Sequence, residues 1–187
     1  GLCFIGKVKL PIFLQQFLKP KNGKVIEIDS KHDILKKNQN SFHPIKYISE
    51  MGKIIGQHNG AHFFTIGQRK GLNIGGTKDP LFVIGTDVKE NIIFVGQGEN
   101  HPGLFRKALS VNYKNIHWIR KDLKMEEGIS LEFDARIRYR QPLTKCTLTI
   151  INDELKVSFD EFQRGITSGQ FISWYKNDEL IGSGVIN

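Results

Sequence analysis

The sequence predicts a mainly β protein, and three observations carry that prediction. Downstream of residue 105, six strand-length runs rich in apolar and β-branched residues are separated by turn signals. Upstream, LFVIGTDV (81–88) and NIIFVGQ (91–97) flank a short Lys-Glu linker, the pattern of a β-hairpin. The 13 phenylalanines favour packed strands over a coiled coil.

From the start of the chain, VKLPIFLQQFL (8–18) sets Leu10, Phe13, Leu14, Phe17 and Leu18 at helical spacing. Pro11 falls near the beginning of that run, where a helix tolerates it. PKNG (20–23) reads as a turn and KVIEID (24–29) as a strand. Residues 30–50 are polar and mixed, which predicts a surface excursion with some local structure, an insertion between strands. KIIGQ (53–57) is a short strand, closed by a turn at HNG (58–60). HPGLF (101–105) marks a break, so a boundary near 105 divides a domain over 1–105 from one over 106–187. The runs 108–118, 129–139, 144–151, 155–160, 170–175 and 179–186 then predict an antiparallel barrel or sandwich.

A length of 187 residues suits one large domain or two small ones. With 39% hydrophobic and 25% charged residues, a buried core is within reach and global disorder is excluded. No apolar run approaches the roughly 18 residues that span a bilayer. No charged segment followed by an apolar one marks a signal peptide, and with only two cysteines a reducing, cytoplasmic setting is expected. Two cysteines, Cys3 and Cys146, make neither a disulfide framework nor a CxxC metal pair.

The formal net charge is +8. Residues 1–105 hold 14 Lys+Arg against 8 Asp+Glu, and residues 106–187 hold 13 against 11, so the surplus sits in the first half. Nucleic acid is the leading partner for such a surplus and an anionic membrane surface the second. A general lysine bias is the plain alternative.

HFFTIGQRKGLNIGG (62–76) concentrates glycines around Gln68, Arg69 and Lys70, a composition suited to holding a phosphate backbone. A glycine-rich turn between strands is the plain reading. Gly71 and Gly76 have Walker spacing, but Thr77-Lys78 follow instead of Lys-Ser/Thr, and GLNIGG misses the dinucleotide pattern. His58 and His62 stand four apart with Gly60 between them and no third ligand in view, so no metal site is predicted. In ISLEFDARIRYRQ (129–141), Leu131, Phe133, Ala135, Ile137 and Tyr139 alternate with Glu132, Asp134, Arg136, Arg138 and Arg140. A continuous strand there would set the three arginines about 7 Å apart on one face. That row calls for an anion above it or acids on the next strand. Cys146 shares a face with Leu148 and Ile150 and reads as core. Cys3, in GLCFIG with Lys7 and Lys9 nearby, has cations that favour the reactive thiolate.

GLCFIG (1–6), GQHNGAH (56–62), TIGQRKGL (65–72), IGGT (74–77) and VGQGENHP (95–102) resemble, in order, the tRNA-specific 2-thiouridylases. So do RYRQ (138–141), FDE (159–161) and TSGQ (167–170). The resemblance spans essentially the whole chain. It implies a small β-rich central domain followed by a six-stranded antiparallel β-barrel like those of translation factors. It implies the C-terminal part of an enzyme that makes 2-thiouridine at wobble position 34 of tRNA. That enzyme would carry an ATP-pyrophosphatase domain ahead of this segment, so ATP would be bound there. Cys3 matches the cysteine that carries persulfide sulfur from a relay protein and ends in a disulfide with a cysteine of the ATP domain. Arg138, Tyr139 and Gln170 match tRNA contacts. Gln68, Arg69, Lys70, Arg136 and Arg140 are weaker RNA-contact candidates. Such a fragment alone would not thiolate. The rival readings are a non-catalytic RNA-binding barrel and a thiol redox protein using Cys3 and Cys146. Methyl transfer is disfavoured, because no glycine-rich loop follows a strand as a methyl-donor site requires.

Overall fold

The computed structural model describes residues 19–187. The helix expected over 8–18 and Cys3 lie outside the described residues. The chain forms two compact units. Among the described residues, the first takes residues 19–29 and Tyr47–Glu99, and the second takes Ser30–Lys46 and Asn100–Asn187. Residues 30–46 and 100–105, which precede the boundary read from the sequence, group with the second unit.

The first unit is a four-stranded sheet of β1 (Gly23–Glu27), β2 (Lys53–His58), β3 (Leu81–Asp87) and β4 (Ile92–Gln97), in the order β2-β1-β4-β3. β1 runs parallel to β4, and the outer pairs are antiparallel. The expected hairpin is β3–β4. Its turn is held by the Glu90 amide donating to Asp87 Oδ1 at 3.0 Å and closes on Asn91 at φ 54°. Asn91 tolerates that left-handed conformation and is also a buried staple. Its side chain accepts from the Ala61 amide and donates to the Lys21 and Asn22 carbonyls, each at 2.9 Å. One face of the sheet buries Val25, Val83, Ile93 and Val95 with Ala61, Leu72 and Leu81 from strand ends and connections. On the other, the Tyr47 ring meets Phe94 at 5.4 Å. Gly85 makes room for Tyr47, since a Cβ there would come within 2.6 Å of the ring.

The second unit is a closed barrel in the order β10-β5-β8-β7-β6-β9, with every described pairing antiparallel. Its strands are β5 (Phe105–Trp118), β6 (Ser130–Arg136), β7 (Thr144–Ile151), β8 (Glu154–Arg164), β9 (Phe171–Lys176) and β10 (Glu179–Ile186). The choice between barrel and sandwich is therefore decided for the barrel. Closure removes free edges that would otherwise invite aggregation. The turns Asn152-Asp153 and Asn177-Asp178 each have positive φ at both residues, the geometry that matches strand twist in a two-residue hairpin. Alternate residues fill the barrel: Cys146, Leu148 and Ile150 from β7, Leu155, Val157 and Phe159 from β8, Ile172 and Trp174 from β9. Trp174 packs edge-on to Trp118 at 5.3 Å and over Gly182, where a Cβ would lie 2.6 Å from the indole.

The local structure expected within residues 30–50 is present in residues 30–46. They form helix α1 (Asp33–Gln39), whose first turn is capped by the His32 ring accepting from the Ile34 amide. Leu35 is 1% exposed, a burial that contributes about 2 kcal/mol. Arg106 on β5 donates to the Ser41 carbonyl at 2.9 Å, and Lys156 on β8 covers the Phe42 ring at 5.4 Å. His43 meets Ser110 and Glu154 at 3.3 Å each. Among the described residues no helix is long and apolar enough to cross a membrane.

Candidate nucleic-acid interface

The arginine-rich segment departs from the strand expected over 129–139. β6 ends at Arg136, and the chain turns through 137–141, with the Gln141 amide donating to the Arg138 carbonyl at 3.1 Å. Pro142 follows, which has no amide hydrogen to continue a ladder. The regular row of Arg136, Arg138 and Arg140 along one face therefore does not exist. Leu131 is 45% and Tyr139 85% exposed, so only Phe133, Ala135 and Ile137 of the expected apolar face are buried.

The turn does something a straight strand could not. It brings both Arg138 and Tyr139 to the surface, though alternation would set them on opposite faces. Arg136 lies between two rings, 5.5 Å from the Tyr139 centroid and 5.0 Å from that of Tyr175. Its guanidinium donates to the Tyr139 carbonyl at 3.1 Å and the Tyr175 hydroxyl at 2.8 Å. Arg138 reaches across to the β8–β9 connection and donates to the Gly165 carbonyl at 3.2 Å. The Thr167 hydroxyl donates to the same oxygen at 3.0 Å. Gln141 and Gln163 bond side chain to side chain beside them.

Gln170 closes that connection. Its amide donates to the Thr167 carbonyl, and its own carbonyl accepts from Ile186 at 2.8 Å. Its side-chain oxygen meets no hydrogen-bond donor among the described residues. Arg138, Tyr139 and Gln170 thus belong to two adjoining connections at one end of the barrel. Among the described residues, no carboxylate pairs with Arg136, Arg138 or Arg140, and the bonds of the first two go to carbonyls and a hydroxyl. These cations are held in place with their charge unneutralised, which suits a polyanion carrying exposed bases. Phe171, 62% exposed, adds an aromatic face. Sequence reading missed Tyr175, whose signal was its outward position next to the inward Trp174.

The other candidates have separate surroundings. In the TIGQRKGL segment, Gln68 is used internally. Its side chain accepts from the Thr65 amide at 3.2 Å and donates to the Lys70 carbonyl at 2.8 Å, and the turn leaves Arg69 and Lys70 exposed. His58 accepts from the Gly60 amide at 2.9 Å, and burial holds its pKa below the usual value. The His62 ring packs on Phe63 at 4.0 Å. Cys146 is 2% exposed, and burial pushes its thiol up to about 12, so it stays protonated and unreactive at neutral pH.

A family model described as a tRNA methyl transferase PRC-barrel domain matches residues 12–97. One described as an aminomethyltransferase beta-barrel domain matches residues 109–186. A protein named tRNA-specific 2-thiouridylase MnmA from Flavobacterium johnsoniae is 53% identical over 198 residues, covering 100% of this chain and 50% of its own length. Proteins of the same name are 50% identical in Karelsulcia muelleri and 36% in Chlamydia pneumoniae, each covering 100% of this chain, with 49% and 44% of their own lengths. The chain spans about half the length of the curated relatives it matches. With both units matched and the full chain aligned at up to this identity, it belongs to the tRNA-specific 2-thiouridylase family.

Proposed function

We propose that this chain is the tRNA-binding C-terminal part of an enzyme that makes 2-thiouridine at wobble position 34. The observation that carries the reading is the group Arg136, Arg138 and Tyr139 beside Gln170, cationic and aromatic with no carboxylate paired to its arginines among the described residues. Phosphates would meet Arg138 and Arg140, and an unstacked base would lie on Tyr139, with Gln170 in the adjoining connection beside them.

Cys3 is the sulfur carrier in this reading, supported by the match of GLCFIG to the family. Its thiolate would attack the outer sulfur of a relay protein's persulfide. A new S–S bond forms on Cys3 as the donor's thiolate leaves. ATP does not fit the residues described here. The glycine-rich stretch 67–77 is followed by Lys78 and Asp79, not by the Lys-Ser/Thr pair that opens a helix under a nucleotide's β- and γ-phosphates, and it leads through turns into β3. Nucleotide chemistry belongs to a preceding ATP-pyrophosphatase domain, and the setting is the cytoplasm.

The test is tRNA affinity against salt, for the wild-type chain and for Arg138→Ala. Steep salt dependence, weakened by the substitution, is the expected result, and weak binding insensitive to salt overturns it. ATP-dependent thiolation should be absent from this chain alone. In the full-length enzyme, Cys3→Ser should abolish thiolation while leaving tRNA binding intact. Full activity in that variant would instead favour a non-catalytic RNA-binding module.

A further inference from the structure

In the first unit, the segment between Phe64 and β3 encloses a surface depression of about 280 Å³. Leu72 and Leu81, both core residues, form its floor. Ile74 is anchored against Gly56 on β2, where a Cβ would lie 2.7 Å from its Cδ1. Arg69, Asn73, Gly75 and Thr77 also line it.

Gly75 stands apart from other glycines of this unit. Gly23, Gly52, Gly56 and Gly85 are required by close neighbours, each within 3.0 Å of a Cβ. Gly67, Gly71 and Gly76 are required by positive φ. Gly75 has no positive φ, and a Cβ there would meet nothing within 4 Å among the described residues. The described residues give no packing or backbone reason for glycine at this place. A ligand that needs close approach to the backbone would supply one.

The surroundings state the chemistry of that ligand. Arg69 is exposed and makes no ion pair among the described residues. The amides of Asn73, Ile74, Gly75 and Gly76 donate to no backbone acceptor among the described residues. A cation beside a run of amides without backbone acceptors among the described residues is a setting for an anion.

We propose that this depression takes a backbone phosphate of the bound RNA, seated over Gly75 with its charge met by Arg69. This deepens the RNA-binding reading and rests on it. It adds Asn73, Gly75 and Thr77 to the contact set and places Gln68 as the residue that shapes the turn.

The test compares tRNA binding by the wild-type chain, Arg69→Ala, Gly75→Val and Arg138→Ala across salt concentrations, with thermal unfolding of each. Gly75→Val should keep the wild-type melting temperature, because its side chain enters open space, yet lower tRNA affinity about tenfold. Arg69→Ala should flatten the plot of log affinity against log salt by about one unit. If Arg138→Ala weakens binding while Gly75→Val and Arg69→Ala do not, the inference falls and the RNA-binding reading stands. If the wild-type chain shows no salt-sensitive binding, both fall. An arm with ATP in place of tRNA separates the sources of phosphate. ATP binding abolished by Gly75→Val, with tRNA binding unchanged, overturns the inference in favour of a free nucleotide.

Discussion

Two arginine sites on the barrel, at opposite ends of β9, show how differently the same side chain can be used. Near the β9–β10 turn, Arg120 is gripped by Asp122 at 2.6 Å and Glu179 at 2.7 Å. The hydrogen bonds Arg120 donates to Asp122 and then to Glu179 raise its pKa, and the bond it donates to Asp122 holds that carboxyl below the usual carboxylate range. That cation is neutralised by its own chain. Near the start of β9, Arg136 and Arg138 are oriented as firmly but by carbonyls, a hydroxyl and rings. Neutral acceptors fix a guanidinium without cancelling its charge. The first site closes a surface, and the second leaves a positive charge available to an external anion.

The largest effect should come from making the second site resemble the first. Thr167→Glu would set a carboxylate beside Arg138, where the threonine hydroxyl now shares the Gly165 carbonyl. Pairing would neutralise the arginine and repel phosphate, so tRNA affinity should drop about thirtyfold in a filter-binding titration. Arg138→Ala should cost about tenfold and reduce the salt slope by about one. Tyr175→Phe keeps the ring but removes the hydroxyl that accepts from Arg136, so a loss of about twofold to threefold is expected, with unchanged melting. Removing one partner of Arg120 by Glu179→Gln should change tRNA affinity less than twofold, since Asp122 still pairs with it. A tenfold change there would show that net charge, not the arrangement at 136–139, governs binding.

The smallest effect expected is none, at the interior of the same barrel. With Cys3→Ser in place, a thiol reagent at pH 7–9 should leave Cys146 unmodified until denaturant is added. Its thiol is raised to about 12, so its reactive thiolate forms only well above that range. Rapid labelling of the native chain would reopen the redox reading.

The same contrast marks what could be read before folding. Strands with apolar alternation along their length were legible, as in Cys146-Leu148-Ile150, because burial on one face imposes a period of two. The hairpin between 81 and 97 was legible too, from two apolar runs about a short polar linker. The end of β6 was not. Alternation carries on through Tyr139 in the sequence, while the Gln141 bond to the Arg138 carbonyl, with Pro142 behind it, bends the chain. Residues 30–46 read as polar surface because one buried leucine and a few side chains anchor them, and the partners lie about 65 residues away or more.

By itself, the sequence determined the β class, the positive charge, the core position of Cys146 and, through its ordered motifs, the family. These are properties of composition and local order, which survive without knowledge of any contact between distant residues. The tertiary structure decided barrel over sandwich, since closure depends on β6 pairing with β9. It decided that the arginines stand in a turn held by Gly165 and Tyr175. It also separated Arg120 from Arg138, which only their neighbours in space distinguish. An arginine's charge is set by its chemistry, but whether that charge is spent is set by what the fold brings beside it.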